Sequence, residues 1–144
     1  MLKPKECSLC VLAGDMNGFV PDKLIEGAPV MAITMFPSQW ESTKGTAREG
    51  LTVQDYEQQF EKYAGTVSKS YANVVRCRAQ KGVKLPTGKK LREGALFCRQ
   101  YDKIPESTKL VVFVGEDVAK HLRPDVPKPL TWRGFTLPER KENE

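Results

Sequence analysis

Histidine is all but missing from this 144-residue sequence: His121 is the only one, so a mixed cysteine–histidine metal site is not required. Cysteine is scarce too, at four residues (Cys7, Cys10, Cys77 and Cys98) with none to spare. No stretch approaches the roughly 20 apolar residues that a membrane span needs, so no membrane partner is expected. The start, Met1-Leu2-Lys3-Pro4-Lys5-Glu6, has basic residues but lacks the apolar segment of a secretory signal. The expected location is therefore intracellular and cytoplasmic, where four cysteines serve as metal ligands or reactive thiols rather than disulfides. Internal repeats and low-complexity tracts are absent as well. The length suits a single domain, expected over residues 1–138, followed by a charged tail over residues 139–144.

Charge is present but unevenly spread. Nine basic residues fall between Arg76 and Lys103, opposed only by Glu93 and Asp102, so this segment carries +7 and the rest of the chain −2. A concentrated positive field suits a polyanion such as nucleic acid, although a solvated basic face on a soluble protein would read the same way. The candidate phosphate contacts are Arg76, Arg78, Lys81, Lys84, Lys89, Lys90 and Arg92.

Hydrophobic patterning predicts an α/β fold. Turn signals such as Asn17-Gly18, Val20-Pro21 and Ala28-Pro29 make residues 1–29 irregular. Val30 to Phe36 is a continuous apolar run ending at Pro37 and reads as a buried parallel strand. A long polar loop over 37–50 precedes a helix capped by Thr52, with Val53, Tyr56, Phe60 and Tyr63 on its buried face and Gly65 stopping it. Ser70–Val75 is a second strand, 78–90 a basic loop and Leu91–Tyr101 a helix carrying Cys98. Lys109–Gly115 reads as the clearest buried strand, Glu116–Leu122 as a short helix and Thr131–Leu137 as a final edge strand. Strands alternating with helices indicate a parallel sheet between helical layers.

Cys7-Ser8-Leu9-Cys10 is a CxxC pair, which by itself fits half of a zinc site or a redox dithiol. A thioredoxin-like pair would lie between a strand and a helix, and a zinc ribbon would need a second close pair, whereas Cys77 and Cys98 are far apart in sequence. Four thiolates are also what a cubane iron–sulfur cluster requires. Spacing leaves a cluster and zinc both open, with four unrelated buried cysteines as the remaining reading.

Asn73-Val74-Val75-Arg76-Cys77-Arg78 resembles a segment of the iron–sulfur uracil-DNA glycosylases, family 4 and its relatives. The order of features is similar throughout: an early CxxC, a strand and loop, the Asn-to-Cys motif, a fourth cysteine on the next helix, and an apolar strand ending in glycine. Leu110–Gly115 with Val118-Ala119, and the late pair Arg133-Gly134, extend the resemblance over nearly the whole chain. It implies a three-layer α/β/α sandwich with a short, mainly parallel sheet. It also implies a [4Fe–4S] cluster held by Cys7, Cys10, Cys77 and Cys98. Domains of this kind resemble those found in phages, alone or joined to DNA polymerases.

The family's catalytic motifs are degraded here. Where it has Gly-Glu-Ala-Pro-Gly, this chain has Thr34-Met35-Phe36-Pro37-Ser38, with Met35 in place of the acid that positions water. The Pro-Phe pair whose ring stacks on the extruded base falls at Ala47-Arg48. Glu41, Gly45 and Gly50 match family positions, and Asn73 matches the asparagine that reads the uracil edge. The His-Pro-Ser loop that stabilises the departing base has no counterpart in the 144 residues, and His121 lies in the wrong place for that role. Losing a positioned acid or base costs about 10²–10⁴-fold in rate, and losing an oxyanion donor about 10²–10³-fold more. The expectation is a catalytically degenerate protein that binds DNA, single-stranded by preference, or a partner protein of replication or repair. Trp40, Arg48, Phe36 and Trp132 are candidate stacking groups for unpaired bases, and Asn73 and Glu41 are the weak catalytic candidates. A divergent glycosylase and a small iron–sulfur redox protein are the alternatives.

Overall fold

A computed structural model describes residues 2–37, 58, 61–62, 65, 67–79, 82–132 and 136–139. Five strands are found among them: β1 (Met16–Phe19), β2 (Val30–Thr34), β3 (Lys69–Asn73), β4 (Cys77–Ala79) and β5 (Leu110–Phe113). Two α-helices are described, α1 (Gly88–Arg99) and α2 (Glu116–Leu122), with single 3₁₀ turns at Lys5–Leu9 and Pro129–Trp132. The fold is mixed α/β. No helix among the described residues is long and apolar enough to cross a membrane.

The apolar run at 30–36 becomes the centre of a three-stranded parallel sheet in the order β3-β2-β5. Val30, Met31, Ala32 and Ile33 are all buried, as expected for a parallel strand covered on both faces. Alternation along the strands feeds two apolar clusters. Met31, Ile33 and Ala72 join Leu12, Met16, Val74, Val75, Ala95 and Val118 in the larger one. Ala32 and Tyr71 pack with Val20 in the smaller.

Within Lys109–Gly115, Leu110–Phe113 forms a strand, but not the deeply buried one its composition suggests. β5 pairs only with β2 among the described residues, and Leu110 is 48% exposed. Apolar composition reports strand character; the number of partners decides burial. After β5, Gly115 turns the chain with φ +106° and ψ 154°, a region essentially closed to residues with a Cβ. Helix α2 then starts at Glu116, with Glu116 and Asp117 in its first turn and Lys120 in its last, charges that match the helix dipole at each end.

Other expectations fail as well, among them the loop expected over 78–90, whose ends lie in β4 and α1. Residues 16–19 form a strand rather than irregular chain, because β1 pairs antiparallel with β4 and absorbs Asn17-Gly18 in a register shift between Met16 and Gly18. No part of the edge strand expected over Thr131–Leu137 is found among its described residues: Thr131 and Trp132 lie in the 3₁₀ turn, Thr136 and Leu137 have no regular structure, and residues 133–135 lie outside the described residues. Of the helix expected after Thr52, only Gln58, Glu61, Lys62 and Gly65 are described, the first three helical. Gly65, at φ +72°, donates its N–H to the Glu61 carbonyl.

Candidate cysteine-lined site

Three separate parts of the chain bring the four cysteines to one recess. Cys7 lies in the Lys5–Leu9 turn, and Cys10 caps that turn with its N–H on the Cys7 carbonyl at 3.1 Å. Cys77 opens β4 opposite Phe19. Cys98 occupies the last turn of α1. All four line the same cavity, walled by apolar side chains that include Leu12, Met16, Phe19 and Phe97, with Lys3 and Arg76 supplying positive charge. Each cysteine is half-buried and none is in a disulfide.

The sulfurs sense one another. Burial pushes the Cys77 thiol up to about 11; Lys3 pulls it down, while Cys98, Cys7 and Cys10 add to the rise. Burial also raises the Cys7 thiol, with Cys98 next in size and Lys3 again opposing. Two N–H groups already point at sulfur: the Leu12 amide lies 3.5 Å from Cys10 Sγ and Arg76 Nη1 lies 3.2 Å from Cys98 Sγ. Such donors stabilise thiolate and are a normal outer shell of thiolate-bound metal.

Among the described residues, no group of three or more His, Cys, Asp or Glu side chains is gathered tightly enough for one metal ion. A single zinc ion would need sulfurs about 2.3 Å from a common centre. A cubane binds each thiolate through a different iron, so its four sulfurs stand farther apart around a larger body. Four cysteines outside any disulfide, around one apolar recess with two N–H···S contacts and two cations, are the donor set that a cubane would require.

Arg76 itself requires a correction. The sequence places it among the phosphate contacts, but its side chain is 1% exposed and closed to any polyanion. Its Nε and Nη2 grip Asp22 at 2.9 and 2.8 Å, Nη2 also reaches Asp102 at 2.8 Å, and Nη1 donates to the Cys98 carbonyl at 2.8 Å. Burial works against its charge, but the hydrogen bond and charge of Asp22 more than offset this and hold Arg76 protonated beyond the ordinary arginine range.

The remaining basic candidates divide. Lys84, Lys89 and Arg92 are exposed, and Lys89 makes only a long 3.8 Å pair with Glu93. Lys90 is paired with Asp15. Arg78 is half-buried and donates to the Pro37 carbonyl at 3.2 Å. Lys81, Trp40, Glu41 and Arg48 lie outside the described residues. Phe36 is half-buried and packs against the core, and Trp132 is half-buried in its 3₁₀ turn.

Asn73 and Thr34 are register partners that end β3 and β2 at the carboxyl edge of the sheet, the usual ligand edge of a parallel sheet. Asn73 is buried, and its Oδ1 accepts a hydrogen bond from the Thr34 hydroxyl. Met35 packs against the core. His121 is half-buried on α2, and its carbonyl accepts from Arg99 at 3.3 Å.

Asp22 and Leu12 have no signal in residue spacing that would have marked them. Gly94 does: a glycine inside a helix costs about 1 kcal/mol relative to alanine, so its presence asks for a close neighbour. That neighbour is Leu12, whose Cδ1 would lie 2.3 Å from a Cβ on residue 94. Compared with protein-family models and with curated proteins, the chain matches none.

Proposed function

We propose that this chain is a [4Fe–4S] protein with the three-layer α/β/α architecture of the uracil-DNA glycosylases, its catalytic motifs degenerate and its surface kept for binding. The ligands would be Cys7, Cys10, Cys77 and Cys98. The binding target would be DNA, single-stranded by preference, or a replication or repair protein. The observation that carries this reading is the arrival of all four cysteines, from three distant segments, at a single apolar recess flanked by Lys3 and Arg76.

A bound cluster would supply a structural cross-link between the N-terminal turn, β4 and α1. The chain's own residues do the rest: apolar walls exclude water, the Leu12 amide and Arg76 hold sulfur, and α1 presents Lys89 and Arg92 to solvent. The loss of chemistry is supported by Met35, a packing residue at the position where the resembling family carries an acid. A thioether can neither take a proton nor stabilise a developing cation.

Anaerobic reconstitution with iron and sulfide tests the metal assignment. Four irons and four sulfides per chain, with thiolate-to-iron absorption, are expected; stoichiometric zinc uptake without sulfide would overturn it. A single-turnover excision assay on uracil-containing oligonucleotides tests the degeneracy. Binding without excision is expected. The position of Asn73 at the sheet edge favours a divergent glycosylase as the second reading, and excision that vanishes in Asn73→Ala would establish it.

A further inference from the structure

Arg76 spends all five of its N–H donors on three partners: both carboxylate oxygens of Asp22, one of Asp102, and the carbonyl and sulfur of Cys98. Its backbone is fixed as well. The Arg76 carbonyl accepts from Val20 N–H at 2.7 Å, and the next residue is Cys77. One residue therefore joins two of the four cysteines, Cys77 through the chain and Cys98 through space.

The placement is specific. Asp22 alone, 4% exposed and gripped bidentately, would neutralise a buried guanidinium. The second face, Nη1, is instead turned onto the final turn of α1, where a cation meets the Cys98 carbonyl, which also accepts from the Tyr101 N–H, and the negative end of the dipole. From there it reaches the sulfur at 3.2 Å. A neutral thiol accepts weakly, whereas a thiolate rewards a charged donor.

We infer that Arg76 is a positioning residue for the metal site, holding the Cys98 thiolate by a charge-assisted N–H···S bond that Asp22 aims. This rests on the reading of the four cysteines as cluster ligands. The hydrogen bond withdraws electron density from one sulfur, so it weakens that iron–thiolate bond's covalency while fixing its direction. Removing it should raise the terminal iron–sulfur stretching frequency and speed the loss of iron.

The test compares loaded wild-type protein with Arg76→Lys and Asp102→Asn, by resonance Raman spectroscopy and by iron release to a chelator. Arg76→Lys keeps a cation but cannot serve all three partners. It should shift the terminal iron–thiolate band upward and release iron about tenfold faster or more, the usual size of an outer-shell loss. Asp102→Asn keeps the Nη1 contact and should leave the band in place. A purely structural Arg76 would change release without moving the band, and an unmoved band in Arg76→Lys overturns the inference. If Arg76→Lys does not fold, Asp22→Asn loosens the same fork and should move the band in the same direction; no movement there overturns it equally. Wild-type protein that takes up no iron and sulfide would overturn both this inference and the reading beneath it, whereas a loaded protein with unmoved bands overturns this one alone.

Discussion

Replacing Gly94 by alanine tests whether α1 is seated on the CxxC segment as tightly as the structure has it. A methyl at residue 94 would lie 2.3 Å from Leu12 Cδ1 and 2.5 Å from Leu12 Cγ, well inside van der Waals contact. Leu12 cannot step aside cheaply, since it is 3% exposed and packed within the larger core cluster. Two terms compete. Alanine gains about 1 kcal/mol over glycine in a helix interior. Overpacking costs about 1–3 kcal/mol, and approaches this short belong at the upper end of that range. The net expectation is a loss of roughly 2 kcal/mol, read by urea denaturation of the metal-free protein. The cycle with Leu12→Ala separates packing from other causes. That substitution alone should cost about 2–5 kcal/mol, and the added methyl in the double variant should fill part of the cavity. Coupling of about 1 kcal/mol or more in the favourable direction is expected for residues in contact. The same displacement would move the Leu12 amide off Cys10 Sγ, so iron uptake should fall as well. Gly94→Ala that stabilises the protein by about 1 kcal/mol, as at an open helix position, would refute the close approach.

Two further outcomes follow from the charges. For DNA binding, replacing Lys84, Lys89 and Arg92 together by alanine should lower the slope of log K against log salt by about 0.7 for each single-strand phosphate no longer neutralised, while Lys90→Ala, already matched by Asp15, should change it little; an unchanged slope in the triple variant would rule this face out as the binding surface. His121 is held below the ordinary imidazole value by burial, with Arg92 and Arg99 adding to the effect and Asp117 opposing it. Its folded pKa is depressed, so stability present above the unfolded value of about 6.5 is lost as pH falls through the folded one. His121→Gln should therefore lose less stability than wild type between neutral pH and pH 5 in parallel denaturant titrations, and equal losses would refute the assignment.

Legibility from sequence followed how local each determinant is. β2 was readable because continuous apolar residues ending at a proline need no partner to be recognised, and α2 because its acidic start, basic end and following Arg123-Pro124 all lie within one short segment. β1 was not readable: Met16-Asn17-Gly18-Phe19 looks like a turn, and only pairing with β4, some sixty residues away, makes it a strand. The exposure of β5 was hidden for the same reason, since the number of neighbours a strand acquires is a property of the sheet.

The candidate site shows the same division more sharply. Thiols are rare enough that four of them can be proposed as a set, and the structure does bring all four to one recess. Charge is too common to be read in that way. Arg76 sits in the most basic stretch of the sequence, and counting assigns it to the surface with Lys84 and Lys89. Its actual role is fixed by Asp22, 54 residues earlier, and Asp102, 26 residues later. Neither carboxylate is marked by spacing or motif. A guanidinium can be buried only where carboxylates and carbonyls meet nearly every donor, so the partners decide whether an arginine faces solvent or sulfur. The basic segment is therefore two things at once: an exposed set, Lys84, Lys89 and Arg92, open to phosphate, and one internal cation committed to the end of α1. For the proposed contact with DNA, net charge overstates the available cations by that residue, and by Lys90 with its Asp15 partner. For a DNA ligand the salt dependence should therefore report fewer phosphate contacts than the seven that a count along the chain suggests.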